Sequence, residues 1–234
     1  MDNYQKKLII VAHPDDEVLG CGGSIAKWSK FGHEVHVLIM AEGITSREKK
    51  RERAAHKEEL SYLAQSSKKA SKILGVQSLK LLEYPDNRMD SVNLLDIIKS
   101  IEEHIGKVMP EVVVTHHSGD LNIDHRIVHQ AVLTACRPQP GNIVTRILSF
   151  EAPSATEWQS PTSRRPFVPN WFEDISDELE LKIKALEAYH SEMREWPHSR
   201  SIKGVEYLSR WRGSSVGYEA AEAFMLLREL RKIK

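Results

Sequence analysis

An α/β fold, built as a Rossmann-like, mainly parallel sheet flanked by helices with a C-terminal helical extension, is predicted by three observations. Short β-rich apolar runs alternate with segments of helical period over residues 5–150. Those runs are apolar at nearly every position rather than at alternate ones, as strands covered on both faces require. The two segments richest in ionisable side chains follow directly on two of the runs, at the strand ends where open α/β sheets bind ligands.

Leu8 to Ala12 reads as the first strand, and Gly20 to Lys30 as a helix ending near Gly32. Glu34 to Met40 is the second strand. Thr45 and Glu48 have the spacing of a capping box, which predicts a long charged helix running to Leu74 with Gly75 as its stop. Gln77 to Glu83 gives a third strand, followed by a turn at Tyr84-Pro85-Asp86-Asn87. Val92, Leu95, Ile98, Ile101 and Ile105 recur at helical period. Glu111 to Thr115 and Ile143 to Phe150 read as the fourth and fifth strands, with a helix over Ile123 to Ala135 between them. Prolines 153, 161, 166 and 169 break the alternation, so residues 151–170 are expected to form a long loop near the site. Helices are predicted over Asp177 to Glu192, Ile202 to Trp211 and Tyr218 to Lys232.

A chain of 234 residues suits one domain, here a core over 5–150 and a loop and helical extension over 151–234. The 33 basic and 33 acidic side chains balance, which removes the basic field that nucleic-acid binding needs. No apolar run approaches the ~20 residues of a membrane span. Met1 to Lys7 is polar and leads into only Leu8 to Ala12, too short for the core of a signal peptide. Two cysteines, Cys21 and Cys136, make no disulfide framework. A cytoplasmic protein is the expectation.

The chemistry concentrates in two places. His13-Pro14-Asp15-Asp16-Glu17 packs four ionisable groups behind the first strand, an arrangement that is costly unless a cation or a reaction uses it. His116-His117-Ser118-Gly119-Asp120-Leu121-Asn122-Ile123-Asp124-His125 follows the fourth strand, with His129 one turn on. One His and one Asp from the first segment plus a His from the second make the two-imidazole, one-carboxylate set of catalytic zinc sites. Iron, cobalt or manganese would also fit those ligand types. The side chains of His116 and His117 diverge, so at most one faces the site. His33, His36, His56 and His104 read as surface residues. Gly20-Cys21-Gly22-Gly23 lacks the third glycine of a dinucleotide fingerprint, since Ile25 stands there, and is expected to serve close helix–sheet packing. Trp158, Trp171 and Trp196 could line a carbohydrate site or simply pack.

Ala12-His13-Pro14-Asp15-Asp16-Glu17 after an apolar strand, with Asn122-x-Asp124-His125 about a hundred residues later, resembles the LmbE-like (PIG-L type) zinc deacetylase family. The resemblance implies that His13, Asp16 and His125 bind Zn2+, or another divalent metal such as Fe2+. It further implies that Asp15 is the general base and that Asp124 orients an imidazole. Family members often carry a histidine where this chain has Asn122, which can donate a hydrogen bond to an oxyanion but not a proton. The acid that protonates the leaving amine is then Asp15 or one of His116, His117 and His129. The implied partner is an N-acetylated sugar or glycoconjugate, with Arg47, Asp86 and Arg88 as candidate substrate contacts. Nucleic acid and an integral membrane segment are not expected, and assembly into a homo-oligomer is left open. A non-catalytic sugar- or nucleotide-binding α/β module is the rival reading, and Asp15, which mere binding does not need, discriminates against it.

Overall fold

The computed structural model describes residues 4–47, 51–160 and 165–231. Seven strands form one sheet in the order β3-β2-β1-β4-β5-β7-β6. Strands β1 (Lys6–Val11), β2 (Glu34–Ala41), β3 (Ser78–Tyr84), β4 (Val112–His116) and β5 (Arg146–Phe150) are mutually parallel. Strand β7 (Ala221–Glu229) runs antiparallel to β5, and β6 (Trp171–Asp174) antiparallel to β7. The helices are α1 (Asp16–Lys30), α2 (Lys57–Leu74), α3 (Leu94–Val108), α4 (Ile123–Ala135), α5 (Leu179–Glu187) and α6 (Ile202–Ser214). The α/β class and the mainly parallel sheet are as the sequence predicts.

Strand β1 shows why the sheet is central. Leu8 and Ile10 face one core with α3 and α4, Ile9 and Val11 face the other with α1, α2 and α5, and all four are fully buried. Each such side chain contributes about 1.5–3 kcal/mol by leaving water. The chain steps from β1 outward to β2 and β3, then crosses back to β4. The strand order therefore reverses between β1 and β4, and the crevice at their carboxyl ends is the topological switch point. The two chemistry-bearing segments both open there.

Gly20 confirms the packing expected of the glycine cluster. A Cβ at this position would lie 2.1 Å from the Phe150 ring, so α1 can sit this close to β5 only with glycine.

Two expected helices come out differently. Helix α2 begins at Lys57, not Thr45. Residues Thr45–Arg47 form a 3-10 turn in which Thr45 Oγ1 donates to Glu42 Oε1 at 2.8 Å, and Glu48 lies outside the described residues. Glu42 is buried and also takes hydrogen bonds from Arg51, so satisfying an enclosed carboxylate outweighs helix propensity. The Tyr218 to Lys232 segment is not a helix but contains strand β7. Its Ala, Glu, Leu and Met composition favours a helix in isolation. The open edge of β5 and the burial of Phe224 opposite Phe150 override that preference. The C-terminal region thus adds two strands to the sheet besides α5 and α6. No helix among the described residues is long and apolar enough to cross a membrane.

Candidate active site

The loop after β1 makes the first half of the site. The N–H of His13 donates to Asp16 Oδ2 at 2.8 Å, closing a tight turn as α1 begins. Asp15, just before that helix, has φ +104°, a left-handed conformation that costs a non-glycine residue of order 1–3 kcal/mol. Its N–H donates to Glu17 Oε2 at 3.1 Å, and Tyr189 donates to the other Glu17 oxygen at 2.5 Å. The strain is held by its buried surroundings.

The loop after β4 makes the second half. Asn122 caps α4, its Oδ1 accepting the Asp124 N–H at 2.9 Å, which fixes Asp124 and His125 in the first helical turn. His13 Nδ1 and His125 Nε2 each lie 3.3 Å from the same oxygen, Asp16 Oδ2. The far nitrogen of each ring meets another carboxylate. His13 Nε2 is 3.1 Å from Asp124 Oδ2, and His125 Nδ1 is 3.2 Å from Asp120 Oδ2. Asp124 therefore braces His13 rather than its neighbour in sequence, and Asp120 plays the matching part for His125.

Two sets of three donors converge among the described residues: His13, Asp16 and His125, and His13, Asp86 and Asp124. The second set is already occupied. Asp124 accepts the N–H groups of Asn87 and Met89 at 2.7 and 3.0 Å. Asp86 accepts the Ser46 N–H at 3.0 Å and the Asn87 side-chain amide at 3.0 Å. In the first set, Asp16 Oδ1 and His125 Nε2 are enclosed without a hydrogen bond. Enclosed polar atoms without partners cost about 1–3 kcal/mol each, so this is the set whose donors call for a cation.

The electrostatics agree. Burial opposes ionisation of Asp16, but the facing His125 and His116 hold its carboxyl well below the usual range. Burial likewise opposes charge on His13, yet hydrogen bonds to Asp124 and Asp16 hold it well above an ordinary histidine. The site stabilises positive charge at its centre. Asp15 stands apart: burial, opposed by Arg200 and aided by Asp16, raises its carboxyl to about 7.

A polar cavity of about 200 Å³ opens beside Asp15, lined by His13, Asp86, Asn87, Asn122, Arg194 and Arg200 among others. Of the expected substrate contacts, Asp86 is on this wall but nearly buried, its oxygens engaged as above and 3.3 Å from His13. Arg88 is not on the wall, and the Arg47 side chain lies outside the described residues. His116 stacks on His125 with ring centres 3.9 Å apart, while His117 turns away to the Arg165 carbonyl at 2.9 Å. Arg200 was not visible in the sequence as a site residue. It reaches from the segment before α6 to Asp15 Oδ2 at 3.2 Å, 185 positions away, and no local motif marks it.

Comparison with known proteins follows the same outline. Residues 8–136 match the family profile described as PIG-L, GlcNAc-PI de-N-acetylase. The uncharacterized deacetylase YaiS of Escherichia coli is 33% identical over 190 residues, 79% of this chain and 90% of that protein. The diacetylchitobiose deacetylase of Thermococcus kodakarensis is 28% identical over 220 residues, 86% of this chain and 77% of that one. Among solved structures, the N,N'-diacetylchitobiose deacetylase of Pyrococcus horikoshii superimposes with a TM-score of 0.77 at 21% identity. That superposition covers 97% of this chain and 85% of its own. At that identity the likeness is one of fold.

Proposed function

The chain belongs to the PIG-L family of GlcNAc-PI de-N-acetylase type, and on that premise we propose that it is a metal-dependent deacetylase. Its substrate would be an N-acetylglucosamine-type sugar or glycoconjugate. The observation that carries the reading is the convergence of His13, Asp16 and His125, two of their donor atoms enclosed and unpaired, beside a cavity that Asp15 lines.

Two imidazoles and one carboxylate suit zinc with a position left open, and Fe2+ would fit the same ligand types. Held there, such an ion supplies an acidified water and draws on the acetyl carbonyl oxygen. Asp124 and Asp120, each on the far nitrogen of a ligating ring, fix the tautomer and orientation of His13 and His125.

Asp15 takes the proton of the attacking water. Arg200 anchors its Oδ2, leaving Oδ1 to carry the proton, and a carboxyl near 7 suits both accepting and returning it at neutral pH. The histidines that could have replaced it as the acid are otherwise engaged. His116 Nε2 accepts the Ala12 N–H at 2.8 Å, His117 is turned to Arg165, and His129 Nδ1 is bonded to the His116 carbonyl at 2.8 Å. Asp15 thus both removes the proton and gives it to the leaving amine. Asn122 spends one amide N–H on Asn87 Oδ1 and has a second for the developing oxyanion.

The test is acetate release from a panel of N-acetylglucosamine derivatives, with added zinc and with chelator. Acetate that appears with zinc and stops with chelator supports the reading. A purified protein that retains no metal and releases no acetate overturns it in favour of a binding module.

A further inference from the structure

At about 200 Å³ the cavity beside Asp15 is smaller than the ~300–1,000 Å³ that encloses a drug-sized ligand, so it suits a single sugar ring. Whatever is attached to that ring must cross the rim. Three tryptophans invite comparison there. Trp171 has its face covered by the Arg146 guanidinium, 4.7 Å from the ring centre. Trp196 stands edge-on to Tyr207 with the Lys203 ammonium 5.3 Å over its ring. Trp158 differs: it meets the His198 ring edge to face at 5.4 Å and is 53% exposed.

Trp158 is also held between two walls of the cavity. On one side, His198 Nδ1 accepts the backbone N–H of Arg200 at 3.0 Å, and Arg200 reaches Asp15. On the other, Thr156 donates to Asp120 Oδ2 at 2.9 Å and Gln159 to the Asp120 carbonyl at 3.3 Å, two residues before Asn122. An indole fixed in this way offers a broad apolar face at no further ordering cost.

We propose that Trp158, braced by His198, is a stacking platform for the saccharide ring joined to the N-acetylated one, so that the preferred substrate has at least two rings. The proposal rests on the deacetylase reading. The C–H face of a pyranose covers the indole, and its hydroxyls stay at the polar rim.

The experiment compares kcat/KM for N,N'-diacetylchitobiose and for N-acetylglucosamine in the zinc-loaded wild type, Trp158→Ala and Trp158→Phe. The disaccharide is preferred by the wild type, the preference falls about tenfold in the alanine variant, and phenylalanine recovers part of it. An unchanged ratio in Trp158→Ala overturns the platform. So does a wild-type preference for a phenyl N-acetylglucosaminide over the disaccharide, which would assign the indole to an aromatic aglycone. If no substrate yields acetate, the deacetylase reading fails by itself, and binding of chitotriose followed by tryptophan fluorescence decides the platform. Affinity lost in Trp158→Ala supports it, and affinity retained overturns it.

Discussion

Lys182 of α5 and Glu222 of β7 meet at 2.6 Å, each side chain only 3% exposed, at the point where α1 is broken. The break is at Cys21, whose φ of −150° is not helical. The Glu222 carboxylate accepts the N–H groups of Gly23 and Ser24 at 2.9 and 2.7 Å, and Lys182 donates to the Leu19 carbonyl at 2.9 Å. The backbone groups orphaned by the break are thus satisfied from across the sheet. The turn that bears Asp16 is tied to β7 by the same contacts.

Breaking this pair from one side leaves a charge enclosed without its partner. Lys182→Met is expected to lower stability by about 3–5 kcal/mol. The double variant Lys182→Met, Glu222→Gln costs less than the single one, because no uncompensated charge remains. Urea unfolding of the two proteins measures the difference, and equal losses would show that the pair is not coupled.

Gly20 and Phe150 make a steric counterpart. Gly20→Ala places a methyl 2.1 Å from the ring, and is expected to cost about 1–3 kcal/mol as α1 or the ring gives way. Phe150→Leu in the same chain opens room for it, so the two losses combine to less than their sum. Thermal unfolding of the single and double variants checks this non-additivity.

How much of this was legible in the sequence follows the range of the forces involved. Helix Ile123–Ala135 matches its expected bounds because its cap, Asn122, is local. His13, Asp16 and His125 could be grouped because strand alternation already puts both loops at one end of a parallel sheet. Asp120 was in view but without a role, since only the fold shows that it faces His125 Nδ1. Arg200 and strand β7 were out of reach for a different reason. Each is fixed by partners more than seventy positions away, Asp15 for the one and β5 for the other, and neither carries a local pattern that says so.

Asp120 gives a test of the metal site that does not depend on turnover. With its carboxylate removed, the far nitrogen of His125 loses its brace, and zinc affinity in Asp120→Ala is expected to fall about 10–100-fold. Asp16→Ala removes a ligand and should abolish stoichiometric binding. Titration of the purified variants with zinc against a competing chelator measures both. Retained binding in Asp16→Ala with loss in an Asp86→Ala variant would move the metal to the second donor set.

Asp15→Asn isolates the proton-transfer role. Asparagine tolerates the left-handed backbone that Asp15 adopts, and it preserves the side-chain shape, so the loop and the neighbouring ligands should stay in place. What is lost is the ability to take and return a proton. Activity on any accepted substrate is expected to fall about 10²–10⁴-fold while zinc content is unchanged. Parallel measurement of acetate release and bound metal separates this from a collapsed site. Undiminished activity with metal in place would assign the proton to another group, and would leave the strained conformation of Asp15 to be explained by its ion pair with Arg200 alone.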